Sequence, residues 1–194
     1  MSKRIQAVAL VIGVLALSFA CGSDEGQGGQ DSDAAVGGGD GGGTDSSSPS
    51  VDAAPPTGND VVPSSAADLN AYLQANNYSE FAAEPALHPT AGPHMSMVRT
   101  FFNSTLDASI RGGASDHPVG SAIVKELYNG GGVLGGWAVM VKTANSGDTP
   151  ANDWYFYEVL STTPGAAPVL EGNGVGGCAG CHSSGTDYIR SNYP

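Results

Sequence analysis

The sequence predicts an α+β fold: a mainly antiparallel β-sheet with an N-terminal helix before it and a short C-terminal helix after it. Three observations predict it. Four runs between His94 and Leu160 alternate their side chains with a period of two, and Gly, Asn, Ser and Pro turns separate them. A stripe of helical period precedes these runs. A C-x-x-C-H run follows them, close to the C-terminus.

The chain opens with a leader. Lys3 and Arg4 are basic, Ile5 to Phe19 is mostly apolar, and small residues lead into Cys21. The apolar run is too short and wrongly flanked to span a membrane, so residues 1–20 read as an export signal. A cysteine directly after Ala20 points to a lipoprotein signal with Cys21 lipidated, although Ser18 stands where such signals usually carry Leu. The expected location is periplasmic, with the chain held to a membrane by its lipid. Residues 21–63 are dominated by Gly, Ser and Asp, without an aromatic residue or any Lys or Arg. Such a segment cannot bury enough apolar surface to offset its ordering entropy, and it reads as a tether. Its acidic residues are too irregularly spaced for a calcium-binding repeat.

Residues 64–194 form one domain of ordinary size. Two of the chain's seven basic residues lie in the leader, so the remainder carries five against 19 acidic ones, a net charge of −14. That excludes nucleic acid as a partner and favours a redox partner with a basic face.

Ser64 or Ser65 caps the first predicted helix, whose stripe is Ala67, Leu69, Ala71, Tyr72 and Leu73, ending near Asn76. A Pro-rich connection follows. The predicted strands are 94–102, 121–128, 137–142 and 154–160, with a helical turn over Ser104 to Ile110. Arg99 shares a strand face with Met95, Met97 and Phe101, and Lys125 shares one with Ile123 and Leu127. If those faces are buried, both charges stand among apolar side chains; the alternative is that both heads snorkel to water. A buried lysine is deprotonated and nucleophilic, and an arginine there pairs with a carboxylate or polarises a ligand.

Cys178-Ala179-Gly180-Cys181-His182 carries the most specific chemistry. Two thiols at this spacing, with a histidine beside the second, form the attachment site of a c-type haem, and His182 is then the iron ligand. Other readings compete. A thioredoxin-like dithiol sits inside a βαβ pattern, which is not visible here. A zinc site needs more Cys or His at suitable spacing, and the chain's remaining cysteine is Cys21. A disulfide across two residues is strained. With Cys21 assigned to lipid and Cys178 and Cys181 to haem, no disulfide is expected. No Met follows His182, and Met95, Met97 and Met140 read as core, so the iron is expected to be five-coordinate and open to a small molecule.

Several segments carry a family resemblance in their order and spacing: Gly92-Pro93-His94, Val98-Arg99-Thr100-Phe101, His117 through Leu127, Ala138 through Lys142, Asp153 through Phe156, the C-x-x-C-H run and Asp187-Tyr188. Together they make residues 89–194 resemble the cytochrome P-460 family, which includes the cytochromes c′-β. The resemblance implies a mainly antiparallel β fold, a homodimer and a haem lying against the sheet. In the hydroxylamine-oxidising members a lysine matching Lys125 bonds the porphyrin rim, an arginine matching Arg99 lines the pocket, and a distal carboxylate accepts protons. No distal carboxylate is assigned here: Glu126 points away from the Lys125 face, Ala138 stands nearest the usual position, and Glu158 is left open. Phe101, Phe102 and Trp137 could instead wall the distal side. The expected activity is on hydroxylamine or nitric oxide; the alternatives are a gas-binding module of cytochrome c′-β type and an electron carrier.

Overall fold

A computed structural model describes residues 60–90, 92–147 and 149–191. The leader, Cys21 and nearly all of the expected tether lie outside the described residues. Among the described residues the order is α1 (Ala66–Gln74), β1 (Ala82–Ala83), β2 (His88–Pro89), β3 (Met97–Phe102), α2 (Ser104–Arg111), β4 (Ala122–Tyr128) and β5 (Leu134–Lys142). A 3₁₀ turn (Pro150–Asp153), β6 (Trp154–Val159), β7 (Leu170–Asn173) and α3 (Gly176–His182) complete it. The sheet runs β1-β3-β4-β5-β6-β7 with β2 also beside β3, and every pairing is antiparallel. Asp60 and Val62 belong to the domain despite lying before residue 64. The Asp60 carboxylate accepts from Ser104 N at 2.8 Å at the start of α2, and Val62 is buried.

β3 to β6 form because their alternating β-branched and aromatic residues find apolar cover on both sides of the sheet. The register places Phe102, Ile123, Met140 and Phe156 in one cross-strand row, with Thr100, Lys125, Ala138 and Glu158 in the next row of the same face. The other face carries Phe101, Val124, Val139 and Tyr157, then Arg99, Glu126, Trp137 and Val159. Helix α1 covers this second face with Leu69, Tyr72 and Leu73. Helix α3 and the chain after it cover the first through Ala179 and Ile189. Gly136 makes the close approach of β5 to β6 feasible, since a Cβ there would lie 2.0 Å from the Val159 carbonyl oxygen.

Two expectations change. The strand begins at Met97 rather than His94, and Met95 takes a left-handed backbone with φ 32°. Arg99 and Lys125 lie on opposite faces, because Thr100, not Arg99, pairs with Lys125. Arg99 donates from Nε to the Glu84 carbonyl at 2.9 Å and stacks over Phe101.

The α1 face is tied together by polar contacts within the apolar cluster. Trp137 Nε1 donates to Tyr78 Oη at 2.8 Å, and Tyr78 donates to Glu126 at 2.9 Å. Tyr78→Phe leaves the Trp137 donor without its partner in the core and is expected to lower stability by about 1–3 kcal/mol, measured by urea unfolding.

Candidate functional site

Helix α3 is short and rich in glycine, so it holds its place through tertiary anchoring rather than propensity. The anchor is a tight turn, Thr186 to Ile189, closed by Ile189 N donating to Thr186 O at 2.9 Å. Its central residues Asp187 and Tyr188 have φ of 44° and 67°, the signs of a type I′ turn, which non-glycine residues adopt at a cost. Asp187 offsets that cost. Its carboxylate accepts from His117 N at 2.8 Å, Trp154 Nε1 at 3.1 Å and Lys142 Nζ at 2.6 Å. Lys142 is 1% exposed and also pairs with Asp116.

The turn presents the Tyr188 carbonyl to His182 Nδ1 at 2.8 Å. A carbonyl only accepts, so Nδ1 carries the hydrogen and Nε2 keeps its lone pair. Burial pushes the His182 imidazolium down to about 4, against the upward pull of that hydrogen bond, and the basic groups Lys125, His94 and Arg190 nearby push it the same way as burial. The ring is therefore neutral near pH 7, the form that binds metals.

His182 faces a narrow cleft lined by Ile123, Lys125, Met140, Phe156, Glu158 and Cys178, among others. Ile123, Met140 and Phe156 form an apolar floor from one cross-strand row. Lys125 makes no hydrogen bond or ion pair among the described residues, and burial pushes its ammonium pKa down against the pull of Glu84 and Glu158. On the same face the buried Thr100 hydroxyl also lacks a partner. Cys178 is half-buried and free, and burial raises its thiol to about 11. That is the reverse of what a dithiol nucleophile needs.

His94 and Glu158 also line the cleft, Glu158 from the same cross-strand row as Lys125. His94 Nδ1 donates to Glu158 Oε1 at 3.2 Å, and both side chains are largely buried. The His94 and His182 rings stand 6.3 Å apart, centroid to centroid, at 69°.

Of the residues singled out in the sequence, the fold gathers Lys125, Glu158, Cys178 and His182 at one cleft. It leaves Arg99, Phe101 and Trp137 on the far face of the sheet. Sequence reasoning missed His94 as a site residue, because the search for a second ligand stopped at methionine. It also missed Arg190, which donates to the Cys181 carbonyl at 3.0 Å; the signal was its place as the basic residue after the C-x-x-C-H run. Compared with protein-family models and with curated proteins, the chain matches none.

Proposed function

We propose that this is an exported c-type haem protein of cytochrome P-460 type that acts on hydroxylamine or nitric oxide. The observation that carries the reading is the C-x-x-C-H histidine, neutral, with Nδ1 fixed by a carbonyl and Nε2 left for a metal. The rest of the cleft suits a flat, largely apolar group: an apolar floor and an unpaired amine on the same face. Haem supplies the redox and ligand-binding chemistry when bound. Cys178 and Cys181 would hold it covalently and His182 would ligate its iron. Arg190, which donates to the Cys181 carbonyl, would meet a propionate in place of Arg99, which lies on the other face of the sheet.

Lys125 is the candidate for the extra bond to the porphyrin rim, since desolvation favours its neutral, nucleophilic form. Glu158, beside it in the cleft, is the candidate proton acceptor. A lipid at Cys21 and a homodimer complete the proposal. The second reading, a gas-binding module of cytochrome c′-β type, draws on the apolar floor of Ile123, Met140 and Phe156.

Export in a host that matures c-type cytochromes tests both readings. Digested holoprotein is expected to yield one peptide in which the Lys125 and Cys178–Cys181 segments are joined through haem. Hydroxylamine is expected to reduce an artificial acceptor in its presence. A Lys125 peptide without haem mass, and no turnover, would leave the gas binder in place of the enzyme.

A further inference from the structure

We infer that Glu84 and His88 share a proton that sets whether Lys125 stands as an ammonium or as a nucleophilic amine. Both act through Lys125, as positioning residues for the covalent step proposed above for that lysine, and the inference rests on that reading.

Glu84 is clamped beside the partner strand of the lysine. It follows β1 directly, its N–H donates to the Thr100 carbonyl at 2.9 Å, and its Oε2 accepts from Thr100 N at 2.7 Å. Thr100 is the cross-strand partner of Lys125. Glu84 is buried, so little water screens its charge. Of the carboxylates near Lys125 it pulls hardest, ahead of Glu158, drawing a proton onto the amine against the effect of burial. No hydrogen bond joins the two residues among those described; what couples them is charge.

The charge of Glu84 depends on His88. The imidazole meets the Pro89 carbonyl through Nδ1 at 2.9 Å and Glu84 Oε2 through Nε2 at 3.0 Å. A carbonyl only accepts, so Nδ1 carries a hydrogen. The second contact then needs a proton of its own, on Nε2 or on Oε2. In either placement the pair is net neutral, and it becomes a buried anion when that proton leaves. His88 gives the proton a way out, since its side chain is 40% exposed while that of Glu84 is 4% exposed.

One unit of charge is therefore traded along this edge of the sheet. With the proton on the pair, the pull on Lys125 cancels and burial favours the neutral amine. With the proton gone, the Glu84 anion draws one onto Lys125, because a lone charge is costlier inside a protein than a compensated one. The other ionisable groups facing Lys125 are Glu158 on β6, His94 ahead of β3, Cys178 and His182 on α3, and Arg190 beyond it. Glu158 has a histidine of its own, His94, and the variants below leave that pair intact.

The test reads Lys125 reactivity in the full-length exported chain made without haem, by peptide mass after brief acetic anhydride labelling over a range of pH. Lys125 lines the cleft, where a small reagent can meet it. His88→Ala leaves Glu84 as the anion and is expected to cut Lys125 labelling at neutral pH roughly tenfold, with its midpoint moved to higher pH. His88→Arg, which keeps a cation beside Glu84, is expected to restore wild-type labelling. In a Glu84→Gln background His88→Ala is expected to have no effect, because no charge remains to be released. Damage to the fold exposes Lys125 and raises labelling, so it does not reproduce the expected loss. Labelling that His88→Ala leaves unchanged or raises, or lowers equally in the Glu84→Gln background, overturns the inference. In the haem-loaded protein His88→Ala is expected to reduce the share of Lys125 peptide joined to haem. A wild-type holoprotein whose Lys125 peptide never carries haem, with the labelling changes as expected, overturns the cross-link reading and leaves the charge pair standing.

Discussion

Lys142→Met is expected to lower the stability of the domain by about 3–5 kcal/mol, or on the order of 10–20 °C in melting temperature. The lysine is 1% exposed on β5 and meets two carboxylates, Asp187 at 7% exposure and Asp116 at 57%. Burial alone pushes the Lys142 ammonium down, but the hydrogen bonds and charges of both carboxylates outweigh it and hold the pKa above the ordinary lysine value. Removing the cation leaves the Asp187 carboxylate buried with only its neutral donors, His117 N and Trp154 Nε1. An uncompensated buried charge is the costly outcome.

The pH dependence has a definite sign. A group whose folded pKa is raised gives stability that is complete below its unfolded value and lost as pH rises through the folded one. The Lys142 contribution is therefore present through neutral pH, fades above the ordinary lysine range, and is missing from the variant at every pH. Chemical unfolding at pH 7 and in alkali checks both statements. A cost below 1 kcal/mol would mean that the pair does not anchor the turn. The same substitution reaches the site, because Asp187 sits beside Tyr188 in the strained turn that fixes His182 Nδ1.

The second large effect concerns attachment. Changing both Cys178 and Cys181 to Ser is expected to abolish covalent haem entirely, giving a colourless exported protein whose far-UV circular dichroism matches that of wild type without haem. The fold should survive, because the sheet and its two apolar clusters rest on β3 to β6 and α1, with Cys178 only at the edge of one cluster. Single changes are expected to leave haem held by one thioether. If the double variant still carries haem through acid–acetone extraction, the thiols are not the attachment points.

The long strands are legible in the sequence because each alternates over six or more residues. β1 and β2 are two residues each and β7 is four, too short for any period to stand out. Alternation correctly groups Arg99 with Phe101 and Lys125 with Ile123, but it cannot say which face holds the cleft. Both faces are covered, and every residue of β6 is buried. Only the register, Thr100 opposite Lys125, separates the two cations.

Long-range ion pairing is equally silent in a sequence: Lys142 and Asp187 lie 45 residues apart and no local pattern links them. His182 is legible because the C-x-x-C-H run is contiguous in the sequence. His94 is not, because only the fold brings it to the cleft. Its position 88 residues upstream becomes meaningful once the bend at Met95 brings it to the cleft.

The central claim is that one haem is covalently bound at Cys178, Cys181 and His182. It is tested most directly by the mass of the exported full-length protein after acid–acetone extraction, read with the spectrum of its pyridine complex. The account predicts a gain equal to one haem, two consumed thiols and a c-type haemochrome. A colourless protein whose mass lacks a haem, with Cys178 open to alkylation, would contradict it.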